Sequence, residues 1–391
     1  MISELISEEV QRYINEHLFD DTAELLLKEK SLDQALLKHI IEQIKSKRKA
    51  KNKLPSWFKT DGLIYPKLIS MEQCSSEETA RYKALLVAGN QMVDLTGGFG
   101  VDTYFLSKSF QHTEYVEKDQ LLSEQAAHNF NLLNAGIHVN HSAAESFLEL
   151  MDNVDLVYVD PARRDLNSQK VFQLEECTPN VIKLLPEMLN KSDRILIKLA
   201  PLLDIKSALK DLSHVVQVVV IAVKNEVKEL LFDIEKDFRG EAVIRCINLK
   251  QKEEQEFSFF YSDEEGLHTE SNQLGRYLYE PNASILKSGA FKSIGSRFKL
   301  QKLDPNTHLY TSNHLVADFQ GRCFEAIKDL TLNKRIKKDL PNMKANISVR
   351  NYPVGVDQIR KKTNIKEGGD DYIFAFTDKS GKRVVLCQKK Y

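Results

Sequence analysis

The chain of 391 residues is long enough for two or three domains with an ample core, and 42% hydrophobic with 28% charged residues exclude a fibrous, disordered or membrane-bundle protein. Its longest largely apolar run, Val215 to Val223, is far shorter than the roughly 20 residues that cross a bilayer, and the acidic start MISELISEEVQ lacks a secretory pattern, so a cytoplasmic protein is expected. A net charge of −1 gives no sign of a polyanionic partner by itself, and five scattered cysteines without a C-x-x-C pair suggest neither a disulfide framework nor a zinc site.

Residues 1–90 read as a helical domain. Apolar periodicity runs through EVQRYINEHLF and SLDQALLKHIIEQI, with Ser31 and Asp33 as candidate N-caps, and SSEETARYKALLVAG predicts another capped helix ending at Gly89. Between these helices, KSKRKAKNK from Lys45 to Lys53 holds six cations in nine residues, and Trp57, Phe58 and Tyr65 follow it, suited to core packing or to stacking on bases. Over 91–250 the pattern changes to short apolar runs alternating with helical stretches: MVDLT, TEYVE, IHVN, VDLVYVD, RILIKLA, VVQVVVIAV and AVIRCINL. That alternation predicts an α/β domain with a doubly wound parallel sheet. LLSEQAAHNFNLLNAG places Leu122, Ala126, Phe130 and Leu133 on one helical face and stops at Gly136, whereas KNEVKELLFDIEKDFRGE reads as a short helix or a hairpin-like edge. The acidic stretch after Leu249 reads as a linker, and 251–318 and 319–391 as two smaller α+β pieces. In the last, ISVRNYPV, VDQIRKKTN and YIFAFTDKSGKRVVLCQKK predict strand, helix and hairpin; LNKRIKK around Lys334 to Lys338 and Arg360, Lys361 and Lys362 are further cations.

Chemistry concentrates at VDLTGGFGVDT. A strand ends at Asp94 and Thr96, then turns through Gly97, Gly98 and Gly100 into a helix carrying Asp102, which opens backbone N–H groups to a ligand. The spacing is not the G-x-G-x-x-G of dinucleotide binders, since Thr103 occupies the third glycine position, and no phosphate loop of the G-x-x-x-x-G-K-[ST] type is present. Glu117 follows Asp94 by twenty-three residues, at the end of the next strand, where a carboxylate can accept both hydroxyls of a ribose. His112, His128 and His141 share no metal-ligand spacing.

DLTGGFG, YVEKD and VDLVYVDPARRD resemble the class I S-adenosylmethionine-dependent methyltransferases, over about Met92 to Leu249. Thr96 replaces the first glycine of D-x-G-x-G-x-G, as in some ribosomal-RNA guanine methyltransferases. The resemblance implies a Rossmann-like sheet, S-adenosylmethionine bound by Asp94, Thr96, Gly97, Gly98, Gly100, Asp102 and Glu117, and a catalytic motif at Asp160, Pro161 and Arg163. Enzymes that methylate exocyclic amines have [DNS]-P-P-[YFW] there; Ala162 and Arg163 depart from it, with Arg163 in place of the stacking aromatic. Uridine C5 methyltransferases have D-P-P-R but need a cysteine after the fifth strand, where this chain has KLAPLLD; Cys177 lies elsewhere and reads as inert. For the adenine amino group, Ser142 or Glu145 of HSAAE is the candidate partner, with a helix cap as the plainer role of Ser142, and Lys198 either faces the pocket or snorkels. ANISVRNYPVGVDQIRKKTNIKEGGDDYIFAFT resembles a THUMP-like domain and the piece before it a ferredoxin-like one, which implies an RNA partner, a tRNA or an rRNA. The rival reading is a non-catalytic RNA-binding protein retaining a degenerate methyltransferase domain.

Overall fold

In the computed structural model, which describes residues 2–163, 174–250 and 253–391, residues 2–90 are helical and carry no strand. The longest helix, Gln34–Lys53, starts at Asp33, whose carboxylate accepts the N–H groups of Ala35 and Leu36 at 2.9 and 3.1 Å; Ser31 is not its cap. Its apolar face packs Ile40 and Ile44 against Leu5, Val10, Ile14 and Ile64. The basic run on this helix is largely engaged within the fold. Lys47 is buried and donates to Asn15 Oδ1 at 2.6 Å, Arg48 donates to the carbonyls of Leu18 and Asp20, and Lys53 donates to the Glu72 carbonyl at 2.6 Å. Trp57 and Tyr65 are core residues, in one cluster with Phe99 and Phe105. The helix expected to stop at Gly89 is Glu77–Leu86, capped by Ser76, and the chain is already extended at Val87.

After the helical region, besides a two-residue ladder, come β1 (Gln91–Asp94), β2 (His112–Glu117), β3 (Ile137–His141), β4 (Leu156–Val159), β5 (Arg194–Leu199), β6 (Val215–Val223) and β7 (Glu226–Glu235). The first compact unit runs to Val216 and takes back Leu230–Gly240. Its sheet has the order β7–β5–β4–β1–β2–β3, parallel throughout except for β7. The expected α/β rhythm is therefore real, and of the two readings of KNEVKELLFDIEKDFRGE the hairpin holds, though not at an edge: Lys224 and Asn225, at φ +51° and +67°, turn β6 into β7. Asn129, on the helix Gln120–Leu132, pairs its amide with both the N–H and the carbonyl of Ile64 at 2.9 and 2.8 Å, which fastens the helical region to the sheet.

The second unit comprises Gln217–Glu229 and Glu241–Tyr391. Here β8 (Val243–Leu249) runs parallel to β6 and antiparallel to β9 (Glu254–Phe259). The acidic stretch expected to be a linker is thus partly a strand, because Phe257 and Phe259 are buried on one face while Glu254 and Glu256 are exposed on the other. Its other strands are β10 (Tyr277–Pro281), β11 (Gln301–Lys302), β12 (Tyr310–Ser312), β13 (Gly321–Asp329), β14 (Asn346–Arg350), β15 (Asp371–Asp378) and β16 (Gly381–Lys389). They form one sheet in the order β11–β12–β10–β13–β16–β15–β14, antiparallel apart from the β14–β15 pair, which the helix Val356–Thr363 connects. Glu280, buried on β10, receives the guanidinium groups of Arg322 on β13 and Arg350 on β14. No helix among the described residues is long and apolar enough to cross a membrane.

Candidate active site at the edge of the parallel sheet

β1, β2 and β4 end at the same edge, with Asp94 level with Tyr115 and Tyr158, and the candidate residues stand on the loops that follow. Packing compels two of the glycines in the β1 turn. A Cβ on Gly97 would lie 2.1 Å from the Tyr115 ring, and one on Gly100, at φ +82°, would lie 2.5 Å from the Phe130 ring. At Gly98 the nearest atom to a Cβ would be the Thr96 carbonyl oxygen, 3.7 Å away, so the missing side chain leaves the space over the turn clear for a ligand.

The turn is held from β2. Tyr115 donates its hydroxyl to the Gly98 carbonyl at 2.6 Å, Glu117 Oε2 accepts the Gly98 N–H at 2.9 Å, and Glu117 Oε1 accepts the Asp119 N–H at 2.8 Å. Each Glu117 oxygen keeps accepting capacity for a further donor. Thr96 ties the turn to β4: its hydroxyl donates to Asp94 Oδ1 at 3.3 Å and accepts the Asp160 N–H at 2.6 Å. A glycine at this position has no atom that makes the bridge. Asp94 is buried and accepts from Thr96 N–H at 2.9 Å and from the Thr103 hydroxyl at 2.6 Å. Burial nevertheless pushes its carboxyl up to about 7, against those two hydrogen bonds and with help from the charges of Asp102 and Asp160.

Asp102, in the first turn of the helix Val101–Leu106, belongs to a buried charge cluster. Its Oδ2 accepts from Ser75 at 2.7 Å, Tyr158 at 2.8 Å and Lys198 at 3.1 Å, while Lys83 Nζ lies 3.1 Å from its Oδ1. Burial opposes its charge, yet Lys198 and then Lys83 outweigh that and hold the carboxyl well below the usual range. Lys198 also reaches Asp160 Oδ2 at 2.5 Å, so it is a buried ion-pair member and does not snorkel. The Asp160 side chain keeps 37% of its surface open, and its carboxyl is shifted upward by burial and by Asp102, with Lys198 pulling the other way.

The remaining candidates are placed less centrally. Ser142 follows β3, half-buried, with its N–H on the Glu117 carbonyl and its hydroxyl on the Ala143 carbonyl. It is not a helix cap: Ala143 holds that position before Ala144–Leu150 and no side chain caps it. Glu145 is exposed. Pro161 is buried, and Ala162–Arg163 pairs with buried Cys177 and Thr178 in a two-residue ladder; the Arg163 side chain lies outside the described residues. His128 and His141 bond backbone carbonyls, and no metal-binding group is found among the described residues. Sequence reasoning missed Ser75, Lys83, Thr103 and Tyr158. Lys83 and Ser75 belong to an ordinary amphipathic helix and its approach, but the tyrosine and lysine inside apolar β4 and β5 were a signal, since both need buried polar partners.

Gly97→Ala should destabilise the fold by about 1 to 3 kcal/mol, because the fully buried Tyr115 ring has nowhere to retreat; urea unfolding measures it. The raised carboxyl of Asp94 has a defined sign: the unfolded chain ionises it near pH 4 and the folded chain near 7, so its penalty on stability grows across that interval to about 4 kcal/mol and then levels. Asp94→Asn should flatten the stability profile between pH 4 and 7, and an unchanged profile would refute the assignment.

Residues 277–319 match a ferredoxin-like domain family and residues 321–389 a THUMP domain-like family. The crystal structure of a candidate methyltransferase from Porphyromonas gingivalis W83 is similar over 98% of both chains, with 31% identity and a TM-score of 0.88. An uncharacterised S-adenosylmethionine-dependent methyltransferase of Mycobacterium tuberculosis, from strains CDC 1551 and H37Rv, is 22% identical over 301 residues, 76% of this chain and 80% of the relative. With a mainly parallel sheet whose edge carries an open glycine turn, the Glu117 carboxylate and Asp160 just after β4, the chain belongs to the family of S-adenosylmethionine-dependent methyltransferases with a C-terminal THUMP-like domain.

Proposed function

We propose that this methyltransferase modifies a base of RNA, a tRNA or an rRNA, with 91–250 as catalytic domain, 1–90 as helical domain, and 251–318 leading into a THUMP-like module over 319–391. The observation that carries the reading is the Thr96 bridge, which fixes the glycine turn and Asp160 to each other through one hydroxyl. Asp94, Thr96, Gly97, Gly98, Gly100 and Asp102 build the cofactor cradle, Glu117 receives the ribose, and Ser142 stands on the adenine side. S-adenosylmethionine supplies a methyl group on a sulfonium, electrophilic without a metal or a triad. The chain's task is therefore alignment. Asp160 Oδ1, which no described donor occupies, and the Pro161 carbonyl accept hydrogen from the acceptor and turn its lone pair toward the methyl carbon. The bond from acceptor to carbon forms as carbon–sulfur breaks, and the acceptor's proton leaves to Asp160 or to water.

RNA as partner is supported by the THUMP domain-like match and by lysines that the second unit gathers. Ile336, in the short helix Lys334–Lys338, packs in one cluster with Ile359 of Val356–Thr363, so exposed Lys337 and Lys338 and exposed Lys361 and Lys362 stand on two helices that contact each other. A β-bridge joins Lys344 to Lys366, both exposed. By contrast, the Lys45 to Lys53 run spends Lys47 and Arg48 inside the fold.

Mass spectrometry of nucleosides in total RNA from cells with and without the gene should show one methylated nucleoside lost; an unchanged spectrum argues against RNA. Thr96→Gly should lower kcat roughly tenfold, since it removes both hydrogen bonds of the bridge, with cofactor affinity kept within a few-fold and Thr96→Ser close to wild type. Replacing Lys337, Lys338, Lys361 and Lys362 with alanine should reduce the salt dependence of RNA binding by about 0.7 per lost phosphate contact. A filter-binding slope that does not move would make them a solvated face.

A further inference from the structure

The buried ammonium of Lys198 has no part in the alignment described so far, although it is the group nearest to Asp160. Its three N–H bonds meet three acceptors: Asp160 Oδ2 at 2.5 Å, Asp102 Oδ2 at 3.1 Å and Ser75 Oγ at 3.0 Å. An ammonium so occupied is a fixed cation, not a proton acceptor. Ser75 is saturated in turn, donating to Asp102 and accepting from Lys83 at 3.0 Å as well as from Lys198. Two cations and two anions thus interlock, and two of the six participants, Ser75 and Lys83, come from the helical segment before β1, with Tyr158 closing the ring from β4.

We propose that Lys198 is a positioning residue for methyl transfer: it fixes the Asp160 carboxylate as an anion with Oδ2 tied back and Oδ1 aimed at the acceptor, and Ser75 and Lys83 hold it in that place. This rests on the methyltransferase reading of Asp160 but not on RNA as the acceptor. The helical segment is on this account part of the catalytic apparatus and not an appended domain. Removing the ammonium leaves Asp160 beside Asp102 with Lys83 as the remaining close cation, so Asp160 takes up a proton and loses the charge that orients the acceptor. The titratable groups that face this pair are Asp94 on β1, Asp102 and Lys83 on the flanking helices, and Lys53 and Cys74.

The test uses the full-length protein with 13C-labelled aspartate, the Asp160 carboxyl resonance being assigned by its loss in Asp160→Asn. In Lys198→Met it should titrate at least about one unit higher than in wild type, the size expected for losing an opposite charge at this distance. In parallel, tritium transfer from S-adenosylmethionine to total RNA of a strain lacking the gene should fall at least tenfold in Lys198→Met at pH 7 and recover toward wild type at pH 9, while Lys198→Arg keeps the wild-type acid limb. A merely structural lysine gives a loss that is the same at every pH. An Asp160 carboxyl found protonated in wild type at the pH of the transfer assay overturns the proposal even if Lys198→Met does not fold, and so does a Lys198→Met titration equal to wild type. If no RNA is methylated by wild type, the RNA reading fails while the carboxyl titration still decides the role of Lys198.

Discussion

Four charges under one edge of the parallel sheet, Lys83 and Lys198 against Asp102 and Asp160, have to balance, and much of the first unit is arranged around that balance. Deleting one member of a buried ion pair typically costs about 3 to 5 kcal/mol, because the partner is left charged in a medium that cannot solvate it. The cluster therefore pins together elements far apart in the chain: the helix before β1, the helix after it, and the ends of β4 and β5. It also explains a tyrosine and a lysine among the buried aliphatic side chains of β4 and β5. The hydroxyl of Tyr158 and the ammonium of Lys198 are tolerated there because Asp102 receives both and Asp160 and Ser75 receive the ammonium as well.

The glycine turn is shaped from below by aromatic packing. Tyr115 and Phe130 meet edge to face with centroids 5.4 Å apart, and their rings occupy the volume that side chains at positions 97 and 100 would need. The turn is thereby pressed into a form whose Thr96, Gly97, Gly98 and Gly100 N–H groups are bonded within the fold, while the space over Gly98 stays clear. Thr96 adds what the rings cannot, a polar link across to β4. Local sequence, packing under the loop and access above it are one set of constraints, and the function proposed for the loop follows from the last of them.

The parts of this architecture that were legible in the sequence are those whose signal is local. β1 to β5 announced themselves as short apolar runs separated by helical periodicity, and DLTGGFG and Glu117 are spaced within a single strand–helix–strand unit. β7 was ambiguous because EVKELLFDIE mixes charges with apolar residues in a way that fits neither period cleanly; the turn at Lys224 and Asn225 was the better clue. β9 was hidden by its acidity, since glutamates on the exposed face of an edge strand look like a linker until the alternate phenylalanines are counted. The charge cluster was illegible for another reason. Lys83 precedes Lys198 by more than a hundred residues, and nothing near either one names its partner. The basic run at Lys45 to Lys53 misled in the opposite direction, because a dense stretch of cations on a helix must turn some of them inward, and Lys47 is buried against Asn15.

The ferredoxin-like and THUMP-like matches divide a single sheet, with β10 between β12 and β13, and Glu280 from one side holds Arg322 and Arg350 from the other. A chain cut at that seam would leave two bare strand edges and a buried carboxylate stripped of its counter-ions. The two pieces are for that reason one cooperative part: a fragment carrying either without the other would present an open strand edge prone to aggregation.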